Sequence, residues 1–242
     1  MATPRLIIPG LYELTLPMPL TSVNVFFLLT AEGVTLIDTG YPDHGAGVLA
    51  GLTALGRTPA EVKHIIVTHH HVDHAGNLAV LQRYTQAQIW MHPADADLVA
   101  QGQCLRPTLH GSPGLFNRLA FSLARMLLPR TIQPARVDHL IADNEVIPVA
   151  GGLQVIHIPG HSTGQIGLYW RVQKTLFVAD AVMHRDKSLQ LPLVIEDLNT
   201  EINSISRLAR YDCTTICFGH GLAITNAAGS ALQAYAAAVV KQ

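Results

Sequence analysis

The sequence predicts an α/β fold, α+β where mixed sheets are classed that way, and three observations predict it. Short β-branched runs alternate with helical patterns along 242 residues, in two comparable halves. Hydrophobic residues make up 49% of the chain, enough for a core that needs no disulfide or metal staple. Residues that bind metals recur directly after the strand-like runs. The length allows one large domain or two small ones, and the unbroken alternation reads as a single domain over 1–242.

Taken in order, Leu11 to Leu16 and Val23 to Thr30 are β-rich, with Pro17 and Pro19 between them. Val34 to Asp38 is a third strand, ended by Thr39-Gly40. Gly45 to Leu55 reads as a helix that Gly56 stops. His64 to Val67 is a short buried strand, Asn77 to Tyr84 a helix, Gln88 to Met91 a strand and Pro93 to Ala100 a helix. Residues 101–136 break the rhythm with Pro107, Pro113, Pro129 and Pro134, and read as a helical insertion. Within it, Leu115 to Leu128 is helical: Phe116, Leu119, Ala120, Leu123, Met126 and Leu127 share one face, away from Arg118 and Arg125. That helix packs in a core or dimer, making a homodimer an open option, or forms a lid over an acyl chain. The second half supplies strands at Leu153 to Ile158, Ile166 to Trp170, Leu176 to Val178 and Thr214 to Phe218, and helices at Asn199 to Tyr211 and Ala227 to Val240.

Composition excludes several classes. The formal net charge is −1 and the basic residues are scattered, which leaves no electrostatic footprint for nucleic acid. Cys104, Cys213 and Cys217 form neither a disulfide framework nor a zinc knuckle and read as buried thiols in a reducing compartment. No apolar run reaches membrane-spanning length and the first residues carry no secretion pattern, so no membrane contact and a cytoplasmic location are expected.

The chemistry is concentrated in Thr68-His69-His70-His71-Val72-Asp73-His74, directly after a strand. A strand ending in a turn can splay closely spaced side chains around one point, whereas a helix brings only every third or fourth together. His70 should point away from its neighbours by strand alternation. Three more ligand types follow strands: His161 after Ile158-Pro159-Gly160, Asp180 after Phe177-Val178-Ala179, and His220 after Cys217-Phe218-Gly219. Ligands gather beyond the carboxyl ends of strands in open sheets. Seven donors, His69, His71, Asp73, His74, His161, Asp180 and His220, exceed one tetrahedral zinc and suit two ions, with Asp180 as the bridge. Imidazole-rich ligation favours two divalent ions, zinc first, with iron and manganese as alternatives. Such a pair can hold a bridging hydroxide as nucleophile without any Ser or Cys. Asp73 and His184 are the candidates for direct catalytic roles, His184 in substrate contact or proton transfer. His44, His64, His92, His110, His139 and His157 read as surface or packing residues.

These motifs resemble those of the metallo-β-lactamase superfamily, in its order: Leu36 to Gly40, Thr68 to His74, Pro159 to Gly164, Asp180 and Gly219-His220-Gly221. The resemblance covers nearly the whole chain. It implies a four-layer αβ/βα sandwich with two mixed sheets. It also implies that His69, His71 and His161 hold one metal, that Asp73, His74 and His220 hold the other, and that Asp38 orients the ligand loop. The ligand set and Gly160-His161-Ser162-Thr163-Gly164 are most similar to the glyoxalase II-like branch, although a single helix follows His220. The expected function is hydrolysis of a small-molecule thioester or carboxylic ester. An acyl-homoserine lactonase or other lactonase is the main rival, with a phosphodiesterase or a non-catalytic metal scaffold behind it. Lactonases of this kind often carry a tyrosine after the bridging aspartate, where this chain has Ala181-Val182-Met183-His184.

Overall fold

The alternation of strand and helix predicted from the sequence is present in the computed structural model, which describes residues 2–18, 21–124, 126 and 129–240. In chain order, the elements up to residue 100 are β1 (Arg5–Ile8), β2 (Leu11–Met18), β3 (Thr21–Thr30), β4 (Gly33–Ile37), α1 (Gly45–Ala54), β5 (Val62–Ile66), α2 (Val72–Ala75), α3 (Leu78–Thr85), β6 (Gln88–Met91) and α4 (Pro93–Ala100). Then come β7 (His110–Gly111), α5 (Leu115–Ala124), β8 (His139–Leu140), β9 (Val146–Ile147), β10 (Leu153–His157), β11 (Ile166–Trp170), β12 (Thr175–Phe177) and β13 (Met183–Arg185). The last are β14 (Ser188–Gln190), β15 (Val194–Ile195), α6 (Leu198–Leu208), β16 (Thr215–Cys217) and α7 (Ala228–Val239).

The chain divides into two units. The first comprises Met1–Leu105, Arg130–Ile141 and Pro148–Gly151; the second comprises Arg106–Pro129, Ala142–Ile147 and Gly152–Gln242. The segment read as an insertion is shared between them, with 106–129 in the second unit and its flanks in the first.

The first unit is built on a seven-stranded sheet in the order β1-β2-β3-β4-β5-β6-β8. Strands β1 to β4 are antiparallel neighbours, while β4, β5, β6 and β8 run parallel. The alternation of β2 sends Leu14 and Leu16 to the face where Val25, Phe27, Leu36 and Ile65 meet Val48 and Leu52 of α1 and Leu78 and Leu81 of α3. Each such side chain, fully buried, contributes roughly 1.5–3 kcal/mol. The second unit has a five-stranded sheet in the order β16-β12-β11-β10-β9, in which β12 and β16 are the parallel pair. Ile156, Leu176 and Ile216 of that sheet cluster with Ile205 and Leu208 of α6 and Leu232 of α7. Two ribbons complete it, β13 with β14 and β15 with β7.

One expectation changes: Asp73 and His74 lie on the helical turn α2 rather than in an open turn. The helix expected over Leu115 to Leu128 is present as α5 (Leu115–Ala124); Pro19, Arg125, Leu127 and Leu128 lie outside the described residues. Its Leu115 and Leu119, and Met126 beyond it, are exposed, while Phe121 is buried. All three cysteines are buried thiols. No helix of the described residues is long and apolar enough to cross a membrane.

At one edge of the first sheet, Trp90 stacks on His139 with ring centroids 3.9 Å apart, and its indole N–H donates to His64 Nδ1 at 3.1 Å. His64 cannot accept a second proton at Nδ1 without losing that bond. Burial first, and then His139, lower its pKa. A pKa lower in the folded than in the unfolded chain gives a contribution that is present above about pH 6.5 and lost as the pH falls through the folded value. The His64→Gln variant should therefore lose less of its Tm than the wild type between about pH 7 and pH 5, followed by Trp fluorescence. Parallel losses in both proteins would refute the assignment.

Candidate metal site

In the first unit the site begins where β4 and β5 end side by side. The ladder runs one step past the strands, with Asp38 N–H donating to Ile66 O at 2.9 Å. Asp38 then turns into the left-handed region (φ +62°), a conformation that a short polar side chain tolerates. Its carboxylate accepts from Thr68 N at 2.8 Å and from Thr68 Oγ1 at 2.9 and 3.0 Å, and bonds His74 Nδ1 at 2.8 Å. Thr68 Oγ1 also lies 3.0 Å from His69 Nδ1.

This network dictates tautomers. A carboxylate only accepts, so His74 carries its proton on Nδ1 and presents Nε2 as the lone pair. The Thr68 hydroxyl hydrogen is committed to Asp38, so its oxygen accepts from His69 Nδ1–H. His69 Nε2 is then also a lone-pair donor. One carboxylate thus sets the ligand atoms of two imidazoles, one of them through a hydroxyl.

His69, His70, His71 and His74 are all buried. The rings of His69 and His71 are 4.7 Å apart and those of His69 and His74 are 4.0 Å apart. Candidate ligand atoms of His69 and His71, of His69 and His74, and of Asp73 and His74 lie within 4.8 Å of each other. His70 is tied elsewhere: its backbone N and its Nδ1 both bond Asp95 Oδ2, at 3.1 and 3.0 Å. It ties the loop to α4, yet it does not point away from its neighbours as expected: its ring centroid is 4.7 Å from that of His71, and candidate ligand atoms of the two lie within 4.8 Å.

In the second unit the same device recurs. Val178 N–H donates to Cys217 O, and Gly219 N–H to Ala179 O, both at 2.9 Å, which carries the β12–β16 pairing past both strand ends. Asp180 and His220 leave from there, and His220 Nε2 lies 3.0 Å from Asp180 Oδ2. His161 comes off β10, with its Nε2 3.6 Å from the same oxygen. Its Nδ1 bonds Val194 O at 2.7 Å; a carbonyl only accepts, so Nε2 again carries the lone pair. One carboxylate oxygen facing two imidazole Nε2 atoms is the donor chemistry of a metal ligand.

His184 Nδ1 bonds Leu222 O at 2.6 Å, and His184 N–H donates to His220 O. Gly221 between them is at φ +93°, and a Cβ there would fall 1.8 Å from His184 O. The other histidines have structural partners: His44 Nδ1 accepts from Tyr41 N, His92 Nδ1 from Ala94 N at the start of α4, His110 Nδ1 bonds Gly111 O and His157 Nε2 bonds Thr163 O. Three contributors had no signature in the sequence: Asp95, the carbonyl of Val194, and Glu201, a fully buried glutamate on α6. Burial pushes the Glu201 carboxyl well above the usual range, and neither of its oxygens has a hydrogen-bond partner among the described residues.

A profile of the metallo-β-lactamase superfamily matches residues 18–220. The chain belongs to the metallo-β-lactamase superfamily. Its similarity to solved superfamily structures bears out the expected fold class. A metallo-β-lactamase family protein from Thermus thermophilus superposes with a TM-score of 0.71 at 24% identity, over 97% of this chain and 80% of that one. A motif mutant of the metallo-β-lactamase of Cronobacter sakazakii gives 0.74 at 20% identity, over 100% and 96%. Among curated proteins, the chain is 25% identical to the probable metallo-hydrolase YybB of Bacillus subtilis, over 87% of this chain and 85% of that protein. It is 28% identical to the human acyl-coenzyme A thioesterase MBLAC2, over 66% of this chain but 58% of that protein. The superfamily's histidine and aspartate motifs are thus present as clusters fit for a metal.

Asp38→Ala would leave Thr68 N–H, the Thr68 hydroxyl and His74 Nδ1–H without their acceptor in a buried site. The expected loss is about 2–4 kcal/mol of unfolding free energy in urea, measured without added metal. A loss below about 1 kcal/mol would show that the carboxylate does not hold the loop.

Proposed function

We propose that this superfamily member is a dinuclear-metal hydrolase of thioesters or carboxylic esters, most similar in its ligand set to the glyoxalase II-like branch. In this reading, as the superfamily resemblance implies, His69, His71 and His161 serve one ion, Asp73, His74 and His220 serve the other, and Asp180 serves both. The observation that carries it is the Nδ1 tethering of His69, His74 and His161, which leaves three Nε2 lone pairs beside carboxylates at strand ends. Tethering of this kind is how proteins orient metal-binding imidazoles. Zinc is the first choice, with iron and manganese as alternatives.

Two such ions, when bound, supply a nucleophile near neutral pH and polarise the carbonyl under attack. The chain's own residues do the rest. Asp38 and Thr68 hold His69 and His74 in the ligating tautomer, and Val194 O does the same for His161. Asp73, half-buried on α2, and His184, whose Nδ1 bonds Leu222 O, are the residues assigned here to meet substrate or move a proton to the leaving group. The thioester assignment draws on the relatives called acyl-coenzyme A thioesterase and atrochrysone carboxyl ACP thioesterase. Lactone cleavage uses the same carbonyl chemistry and is decided by the same assay.

With the metal-loaded protein, a panel of acyl thioesters, aryl esters and lactones should show turnover, with thioesters leading. Asp180→Ala should abolish it and lower metal content, because one carboxylate serves both ions, while the far-ultraviolet spectrum stays unchanged. Inertness of the loaded wild type toward the whole panel would overturn the hydrolase reading; lactones leading would replace the thioester by the lactone.

A further inference from the structure

Helix α2 is a single turn of four residues, and it carries both Asp73 and His74. One turn does not stand by itself. Fixing its backbone costs more than its few internal bonds return, and its last carbonyls have no partner along the helix. The chain just past β4 supplies partners. His74 O accepts from Thr39 N at 2.8 Å and from Thr39 Oγ1 at 2.6 Å. The Thr39 oxygen, its own hydrogen given to His74, accepts in turn from Asn77 N at 3.3 Å. Thr39 and Asn77 are both buried.

Asn77 closes the clamp from the other side. It stands at the N-cap of α3, where an asparagine side chain normally accepts from the backbone of the helix it starts. Here that side chain makes no cap bond. Its Nδ2 instead faces the carbonyls of Thr39, Gly40 and Tyr41 at 2.9, 3.2 and 2.6 Å. Carbonyls only accept, so the amide nitrogen, not the oxygen, points at them. The seat leaves no slack: a Cβ on Gly76 would fall 2.3 Å from Val72 O, 2.8 Å from Gly40 O and 2.7 Å from Pro42 Cδ.

Consecutive residues thus hold the two ends of one histidine, Asp38 on the ring of His74 and Thr39 on its carbonyl. The Thr39 N–H bond is one that any residue but proline could make. What the hydroxyl adds is a second donor on the same carbonyl and an acceptor for Asn77 N–H. One oxygen then ties the end of α2, the exit of β4 and the start of α3. A valine fills nearly the same space and offers neither bond. We propose that the Thr39 hydroxyl, braced by Asn77, is a positioning group for α2, setting the pitch at which Asp73 and His74 present their donors to one ion. The proposal rests on the reading of those two residues as ligands of that ion.

The test is cobalt(II) titration of the metal-free whole chain, read by visible absorption and by stoichiometry, with Tm measured alongside. Thr39→Ser keeps the hydroxyl and should reproduce the wild-type spectrum. Thr39→Val should weaken one of the two equivalents by roughly ten- to a hundred-fold and shift its ligand-field bands. Thr85→Val is the control. It removes another buried hydroxyl of the same unit, one that donates to Leu81 O at 2.7 Å and accepts from Ala87 N at 3.2 Å. It should lower Tm and leave the spectrum as in the wild type. A wild-type spectrum and affinity in Thr39→Val would overturn the proposal, as would an equal spectral change in Thr85→Val or in Thr39→Ser. Should Thr39→Val fail to fold, Asn77→Ala, which removes the amide and leaves Thr39 in place, should shift the bands in the same direction, and unchanged bands would overturn the proposal. A wild type that binds fewer than two equivalents overturns the metal reading itself, a failure visible before any variant is compared.

Discussion

The carboxylate of Asp38 is the constraint on which the first donor set depends. It takes the backbone and hydroxyl of Thr68 and the ring of His74 at once. Each acceptor bond it makes removes a choice: where the β5 strand turns, which way the Thr68 hydroxyl points, which nitrogen of His69 and His74 is bare. Packing alone could bury these rings, but it could not select their tautomers, because both nitrogens of a neutral imidazole fill nearly the same space. A group that can only accept selects them. The second unit reaches the same result with a backbone carbonyl, Val194 O, in place of a carboxylate.

Parallel strand ends explain why such a group is within reach. Where β4 and β5 stop level with each other, the residues just beyond both strands can still bond across the gap, as Asp38 and Ile66 do. The pair β12 and β16 repeats this with Val178, Cys217, Ala179 and Gly219. Antiparallel neighbours end at opposite edges and give no such pairing of exits. Histidine and aspartate placed immediately after parallel strands thus find each other with little loop between them, at a small cost in chain entropy.

This is also why so much of the candidate site was legible in the sequence. His69, His71, Asp73 and His74 are neighbours in the chain, and His161, Asp180 and His220 each follow an apolar run that a strand pattern detects. The longer elements were legible for the same local reason: β6, α4 and β11 have the boundaries the pattern implied. What escaped has no local signature. β7, β8, β9 and β15 carry only two residues each, too few to show a period. Asp95 lies 25 residues from His70, and nothing in either neighbourhood marks the pair. Val194 acts through its carbonyl, which every residue has. Glu201 sits in a helical pattern where a charged residue reads as solvent-facing, and only the close approach of Gly160 shows that it is not.

The exit from β12 shows how firmly the site is held. Ala179, directly before Asp180, is in the left-handed region at φ +47°, where an alanine has no polar side chain to compensate and costs about 1–2 kcal/mol. Three bonds over-determine the turn: Ala181 N to Val178 O at 3.1 Å, Gly219 N to Ala179 O at 2.9 Å and Asp180 N to Gln165 Oε1 at 3.3 Å. Strain of this kind persists only where the surroundings leave the chain no alternative, and such places cluster at functional sites. Leaving that reversed backbone, Asp180 brings its Oδ2 to 3.6 Å from His161 Nε2 and 3.0 Å from His220 Nε2, so the strain at Ala179 lies directly before the point on which the second unit's donors converge.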